Sequence, residues 1–251
     1  MRERMLKATM IVFLFAASVA AQQMSPEAGK FYNEGNAKLK AGAYGEAIDL
    51  YGQALGVEEH WMIYFQKGKA HQKKGQMEES LESYNSVVRL QPELDLAYLG
   101  RGGTFYRMGQ MQKAIDDFKQ VIELTDKNKR KEQAKGNIAR AYAKLGSDAM
   151  ANLDYNDAIG YFNQAIEYDD YDAAYLGLAR AYSETGAWQK SINAAQKALD
   201  HRNRVSKGGP HYFMGLAYKN LGNNAKAKEH LRQASGDTQY GSVAKYELDT
   251  L

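Results

Sequence analysis

A unit of about 34 residues recurs from Ala28 to the C-terminus, and it restricts the fold more sharply than any other property of the chain. Aligned on a glycine, Gly35, Asn36 and Ala37 precede Ala47, Tyr51 and Ala54; Gly68, Lys69 and Ala70 precede Ser80, Tyr84 and Val87. Gly102, Gly103 and Thr104 precede Ala114, Phe118 and Val121; Gly215, Leu216 and Ala217 precede Ala227, Leu231 and Ala234. Small residues twelve apart, followed by a large residue four further on, describe two helices that approach closely. A period in this range means a stacked array, in which no unit buries its apolar face alone.

The spacing resembles the tetratricopeptide repeat (TPR), a 34-residue helix–turn–helix unit. The small residue at position 8 of that pattern falls on Gly35, Gly68, Gly102, Gly146, Ala179 and Gly215. Position 15, usually glycine, falls on Gly42, Gly75, Gly109, Leu153, Gly186 and Gly222. Position 20, usually small, is Ala47, Ser80, Ala114, Ala158, Ser191 and Ala227, and position 24, usually large, is Tyr51, Tyr84, Phe118, Phe162, Ala195 and Leu231. Leu153, Ala195 and Asn224 (position 17) depart from the pattern. The resemblance implies an all-α, right-handed α-solenoid of about six units, starting near residues 28, 61, 95, 139, 172 and 208 within an array over 28–235. A glycine inside a helix costs roughly 1 kcal/mol relative to alanine, so the position-8 glycines imply close helix contact.

The third interval is 44 residues. Ala134, Ile138, Tyr142, Leu145, Ala149 and Leu153 continue one helix face through it, which predicts an extended helix over about 129–153. Ala139, Tyr142 and Gly146 also fit a second register, as positions 8, 11 and 15. Lys127–Lys131 reads as a solvated charged loop or helix end. After the array, Tyr240, Ala244, Leu248 and Leu251 share one face of a helix that would cap the last unit over 236–251.

The N-terminus has another origin. Arg2, Arg4 and Lys7 precede an apolar stretch from Ala8 to Ala17, closed by Ser18, Val19, Ala20 and Ala21. That is the layout of a secretory signal peptide over 1–21, cleaved after Ala20 or Ala21 or kept as an anchor, with a short leader at 22–27. With no cysteine, disulfides, thiol chemistry and lipoprotein acylation are excluded. The chain reads as exported, periplasmic or secreted. The formal charge of +3 includes the signal's basic residues, leaving +1 after cleavage, which gives no reason to expect a nucleic-acid partner. After cleavage no membrane span is expected.

Nothing assembles into catalytic or metal chemistry. His60, His71, His201, His211 and His230 form no HxxxH or HExxH pair, and His60, His201 and His211 fall near helix starts or turns. The glycine-rich Gly100–Gly103 lies inside a helix. Asp172 stands at a helix start, where capping accounts for it. The expectation is no enzyme, no cofactor and no metal.

The resemblance implies that positions 2, 5, 6, 9, 12 and 13 of each first helix line a concave groove. These carry Lys40, Lys69, Lys73, Arg107, Arg140, Lys144, Arg180 and Lys219 against one acid, Glu184, with Tyr32, Asn36, Met62, Phe65, Leu96, Leu99, Tyr106, Met150, Leu176, Tyr212 and Phe213 among them. A basic, aromatic-studded groove attracts acidic ligands, and tyrosine and arginine are enriched among interface anchors. The carboxylate clamp known in the family is absent: its positions hold Tyr32, Asn36, Gln66, Leu96 and Gly100, and only Asn36 matches. The function expected is a non-enzymatic scaffold of the bacterial cell envelope that holds an extended or helical segment of an acidic partner protein or peptide. Homo-oligomerisation through the array ends stands as the alternative.

Overall fold

The computed structural model describes residues 24–251, so the signal sequence read at 1–21 lies outside the described residues. The described chain is helical with no strand, and it divides into two compact units, one ending at Thr104 and the other running from Phe105 to Leu251. The all-α architecture is therefore as the repeat implies.

In the N-terminal unit, α1 (Pro26–Lys40) pairs with α2 (Tyr44–Val57), and α3 (Trp61–Lys74) pairs with α4 (Met77–Leu90); α2 and α3 join the two hairpins. Helix α5 (Asp95–Arg107) spans the division. In the C-terminal unit, α6 (Met111–Leu124) packs on α7 (Asn128–Ala151). Three hairpins follow: α7 with α8 (Tyr155–Tyr168), α9 (Asp172–Glu184) with α10 (Trp188–Asp200), and α11 (Gly208–Asn220) with α12 (Asn224–Ala234). The final helix, α13 (Gly241–Asp249), rests on α11 and α12.

Each hairpin turns at position 15. Gly42, Gly75, Gly109, Gly186 and Gly222 all take positive φ, between 73° and 87°, a conformation nearly free of cost for glycine alone. The sixth turn holds Leu153 at φ 65°, where a side chain costs about 1–2 kcal/mol. That turn fixes the register of the 24-residue α7. Leu153 occupies the turn and Gly146 faces Phe162, so the repeat is counted from 139. The three preceding turns of α7 are additional.

The position-24 ring explains the small residues around it. A Cβ on Gly68 would stand 3.2 Å from the Tyr84 ring and one on Gly100 only 2.3 Å from it. A Cβ on Gly146 would stand 2.8 Å from the Phe162 ring and one on Gly177 2.4 Å. Each ring thus lies between a glycine of its own repeat and one of the next. At position 20, Ser80 donates to the Gly68 carbonyl (3.0 Å) and Ser191 to that of Ala179 (2.7 Å), which pins the two helices of those repeats. Ala195, a departure from the pattern, is fully buried.

Asp172 does more than the capping read from sequence. Its Oδ1 accepts from the Ala173 amide, and its Oδ2 accepts from the amides of Asn203 (2.7 Å), Arg204 (2.5 Å) and Val205 (3.0 Å). A buried carboxylate thereby anchors the loop between α10 and α11. Burial pushes its pKa up, but the amides of Arg204, Val205, Asn203 and Ala173 outweigh this and hold it below the usual value.

Candidate functional site

The groove residues of the N-terminal unit are built on rings. Phe65 meets Tyr84 edge-on at 5.8 Å, and the Lys69 ammonium stands over the Phe65 ring at 5.8 Å, a cation–π arrangement. Lys40 and Lys73 are exposed, and Met62 and Leu99 are half-buried. Tyr32 packs on Tyr51 at 6.1 Å. Asn36 has a structural duty, since its Oδ1 accepts from the Tyr51 hydroxyl at 2.8 Å. Burial pushes the Tyr51 phenol well up, with Tyr32 adding to it, so that hydroxyl stays a donor.

In the C-terminal unit the groove positions are more divided than a uniform basic stripe. Tyr106 is half-buried; Arg107 is exposed and engaged with a partner. Arg140 donates to the Gly136 carbonyl of its own helix at 3.1 Å and to Asn137. It lines a polar pocket with Asp169, Asp170, His201 and Arg204, because the additional turns of α7 place it in mid-helix. Lys144 pairs with Asp148 one turn on, at 2.5 Å. Lys219 pairs with Glu247 of α13 and donates to the Thr250 hydroxyl, both at 2.6 Å. Phe213, expected on the groove surface, is 5% exposed and packs edge-on against Tyr240 at 5.8 Å. Tyr212 packs, as Leu248 and Leu251 do, on the cluster of Leu231, Ala234 and Ala244, and meets Tyr240 at 5.5 Å. The capping segment thus covers the groove positions of the last repeat.

A further pocket lies at expected groove positions of the C-terminal unit. Met150, Phe162, Leu176, Phe213 and Tyr240 line it, with Arg180 the one charge among its lining residues, around about 490 Å³ of empty space that includes open solvent. Gly177 lets α9 approach the buried Phe162 ring, and both border this space. The pocket brings together Met150, Leu176, Arg180 and Phe213 of the expected residues. Phe162, read as pure core, and Tyr240, read as part of a cap, complete its wall. Burial raises the Tyr240 phenol, with Arg180 opposing and Asp237 reinforcing the shift.

The model described as "TPR repeat" matches residues 68–109, and two models described as "Tetratricopeptide repeat" match 143–204, and 96–128 with 210–236. Together these cover more than half of the chain. The chain is a tetratricopeptide-repeat protein.

Among solved TPR structures, YrrB, titled "a TPR protein with an unusual peptide-binding site", is 17% identical with a TM-score of 0.53, covering 80% of this chain and 98% of that one. The MamA RS-1 ArsTM double mutant is 16% identical with a TM-score of 0.54, covering 71% and 96%. These likenesses concern the fold. A curated relative, the photosystem I assembly protein Ycf3 of Rippkaea orientalis, is 32% identical over 93 residues, 36% of this chain and 54% of that protein. The match spans about half the length of that relative.

Two further features of this TPR array involve histidines. His211 and His230 stack at 5.3 Å, their Nδ1 atoms 3.1 Å apart, and Tyr218 stacks on His230. Burial lowers the pKa of both rings. His60, by contrast, caps α3 by accepting from the Met62 amide. Among the described residues no group of three or more His, Cys, Asp or Glu side chains could hold a metal ion, and no helix is long and apolar enough to cross a membrane.

Proposed function

We propose that this protein is a non-catalytic scaffold of the cell envelope that holds a short segment of another protein in the groove of its C-terminal unit. TPR modules are generally interaction modules rather than catalysts. The observation that carries the reading here is the pocket formed by Met150, Phe162, Leu176, Phe213 and Tyr240 beside the exposed Arg180. Concave, mostly apolar sites with a few polar groups are the usual form of a binding site. A cation at the rim favours an acidic partner and speeds its encounter. Export rests on the signal-like sequence of residues 1–21; N-terminal sequencing of protein from the envelope should find Ala21 or Gln22 first, and an intact Met1 refutes cleavage.

Photo-crosslinking tests the groove. A crosslinking residue at Leu176 or Arg180 should capture a partner in the source envelope, whereas one at the exposed Gln196 of α10 should not. Capture from Gln196 and not from Leu176 or Arg180 overturns the reading.

Self-association is a second reading, favoured by the outer face of α13. Terminal repeats ordinarily turn a polar face outward, yet Val243 and Tyr246 are 42% and 67% exposed. Light scattering across concentration should show a dimer that Tyr246→Lys dissolves; a concentration-independent monomer removes this reading.

A further inference from the structure

The C-terminal unit already contains a docked segment, and the way it docks specifies what the neighbouring pocket accepts. Helix α13 places Leu248 against the cluster of Leu231, Ala234 and Ala244, on which Tyr212 also packs. The residue before it, Glu247, meets the Lys219 ammonium at 2.6 Å. An apolar anchor and an adjacent carboxylate thus dock side by side, the first in the cluster that Leu231 and Ala234 of α12 help to build, the second on the Lys219 base of α11. The pocket one repeat earlier offers the same pair: Leu176 and the Phe162 and Phe213 rings for burial, and Arg180 for charge. Among its lining residues nothing else is charged. Glu184, one turn further along α9, forms no ion pair with Arg180 among the described residues. A bare apolar segment would leave Arg180 without a counterion, and a bare acidic one would leave the rings wet.

Resting on the groove reading above, we propose that this pocket is an anchor site for a large apolar or aromatic side chain of a partner protein, flanked in sequence by Asp or Glu. The side chain enters against Phe162 and Met150, and the flanking carboxylate meets the Arg180 guanidinium at the rim. Arginine suits this role because its planar fork pairs with a carboxylate through two donors. Tyr240 is the wall that the C-terminal segment contributes. It is held over Tyr212 at 5.5 Å by a turn in which Asp237 accepts from the Gln239 (2.8 Å) and Tyr240 (3.0 Å) amides.

The test follows the Met150 methyl resonance, assigned with Met150→Leu, in the purified protein labelled at methionine methyls. The probes are acetyl-Phe-Glu-amide, acetyl-Phe-Gln-amide and acetyl-Ala-Glu-amide. The Phe-Glu probe should shift the Met150 signal and bind about fivefold more tightly than Phe-Gln, the size expected of a rim ion pair. The Ala-Glu probe should leave the signal in place. Arg180→Gln, at an exposed position that does not build the core, should bring the Phe-Glu and Phe-Gln affinities together. An unmoved Met150 signal, equal affinities in the wild type, or a preference that survives Arg180→Gln overturns the proposal. A partner cross-linked at Leu176 while Met150 ignores all three probes sinks this anchor chemistry and leaves the groove as the partner site. Probe binding at Met150 with partner capture from Gln196 alone does the reverse.

Discussion

In the N-terminal unit position 24 is tyrosine, at Tyr51 and Tyr84; in the C-terminal unit it is Phe118, Phe162, Ala195 and Leu231. A buried tyrosine brings a hydroxyl that must be satisfied, and Tyr51 takes a groove residue, Asn36, to satisfy it. Phe162 makes no such demand, so its edge can border an apolar pocket. The cations differ in the same direction. Lys69 lies on a ring and Lys40 and Lys73 are exposed in the N-terminal unit. Arg140, Lys144 and Lys219 are tied to neighbours in the C-terminal unit, where Arg180 stands at the pocket. One repeat pattern therefore yields a polar, charge-rich surface in one unit and a discrete apolar pocket with a single base in the other. The backbone sets the positions; the side chain at position 24 decides what a groove can be.

The largest effect should come from Asp172, whose loop staple joins residues of the C-terminal unit. Asp172→Ala leaves four amides without their acceptor and should cost about 3 kcal/mol, read as a lowered urea midpoint and faster amide exchange at 203–205. The N-terminal unit should keep its exchange rates. Because the folded pKa is lowered, this carboxylate contributes fully above the unfolded value of about 3.9. Its contribution is lost as pH falls through the folded value. The variant should therefore unfold with a shallower acid limb; an unchanged midpoint and limb would remove the staple from the account.

A middle-sized effect compares the two rings directly. Gly100→Ala and Gly177→Ala each drive a methyl into a position-24 ring, at a cost of about 1–3 kcal/mol. Gly100→Ala should cost more, because Phe162 borders open space into which it can move, while the Tyr84 hydroxyl also crowds the new methyl at 2.9 Å. Equal losses, measured by exchange within each unit, would mean that the pocket gives the ring no room.

The smallest effect is a gain. Leu153→Gly relieves the left-handed turn and should stabilise the C-terminal unit by about 1 kcal/mol, while Gly75→Leu should cost the N-terminal unit a similar amount. Leu153 is 68% exposed, so little burial is forfeited. A lowered melting temperature for Leu153→Gly would show that this leucine contributes more than its strain costs.

The helical hairpins and their turns were legible in sequence because each rests on a local requirement: a glycine where φ is positive, a small residue where a ring approaches. The choice between two registers in α7 was not, since Ala139, Tyr142 and Gly146 satisfy both until Phe162 and Leu153 are placed. The pairing of charges at the expected groove positions was legible only in part. Lys144 and Asp148 stand four apart and could have been paired by inspection. Lys219 needs a partner 28 residues away, and Asp172 needs amides 31 to 33 residues away. Tyr240 was read on the inward face of its helix, but only the folded turn before α13 makes it a wall of the pocket.

The ring held between two glycines also bears on modularity. Tyr84 and Phe162 each press on a glycine of their own repeat and on one in the next, so a boundary drawn every 34 residues cuts through the packing of a single side chain. A fragment ending at Tyr168 would strip one side of Phe162, and a repeat excised from the middle would leave a similar half-covered ring behind it. In the sixth repeat position 24 is the aliphatic Leu231, fully buried in a cluster with Ala244 of α13, so the interchangeable part of this array is the joint between repeats, and α13 takes there the place that the next repeat's first helix takes beside Tyr84 and Phe162.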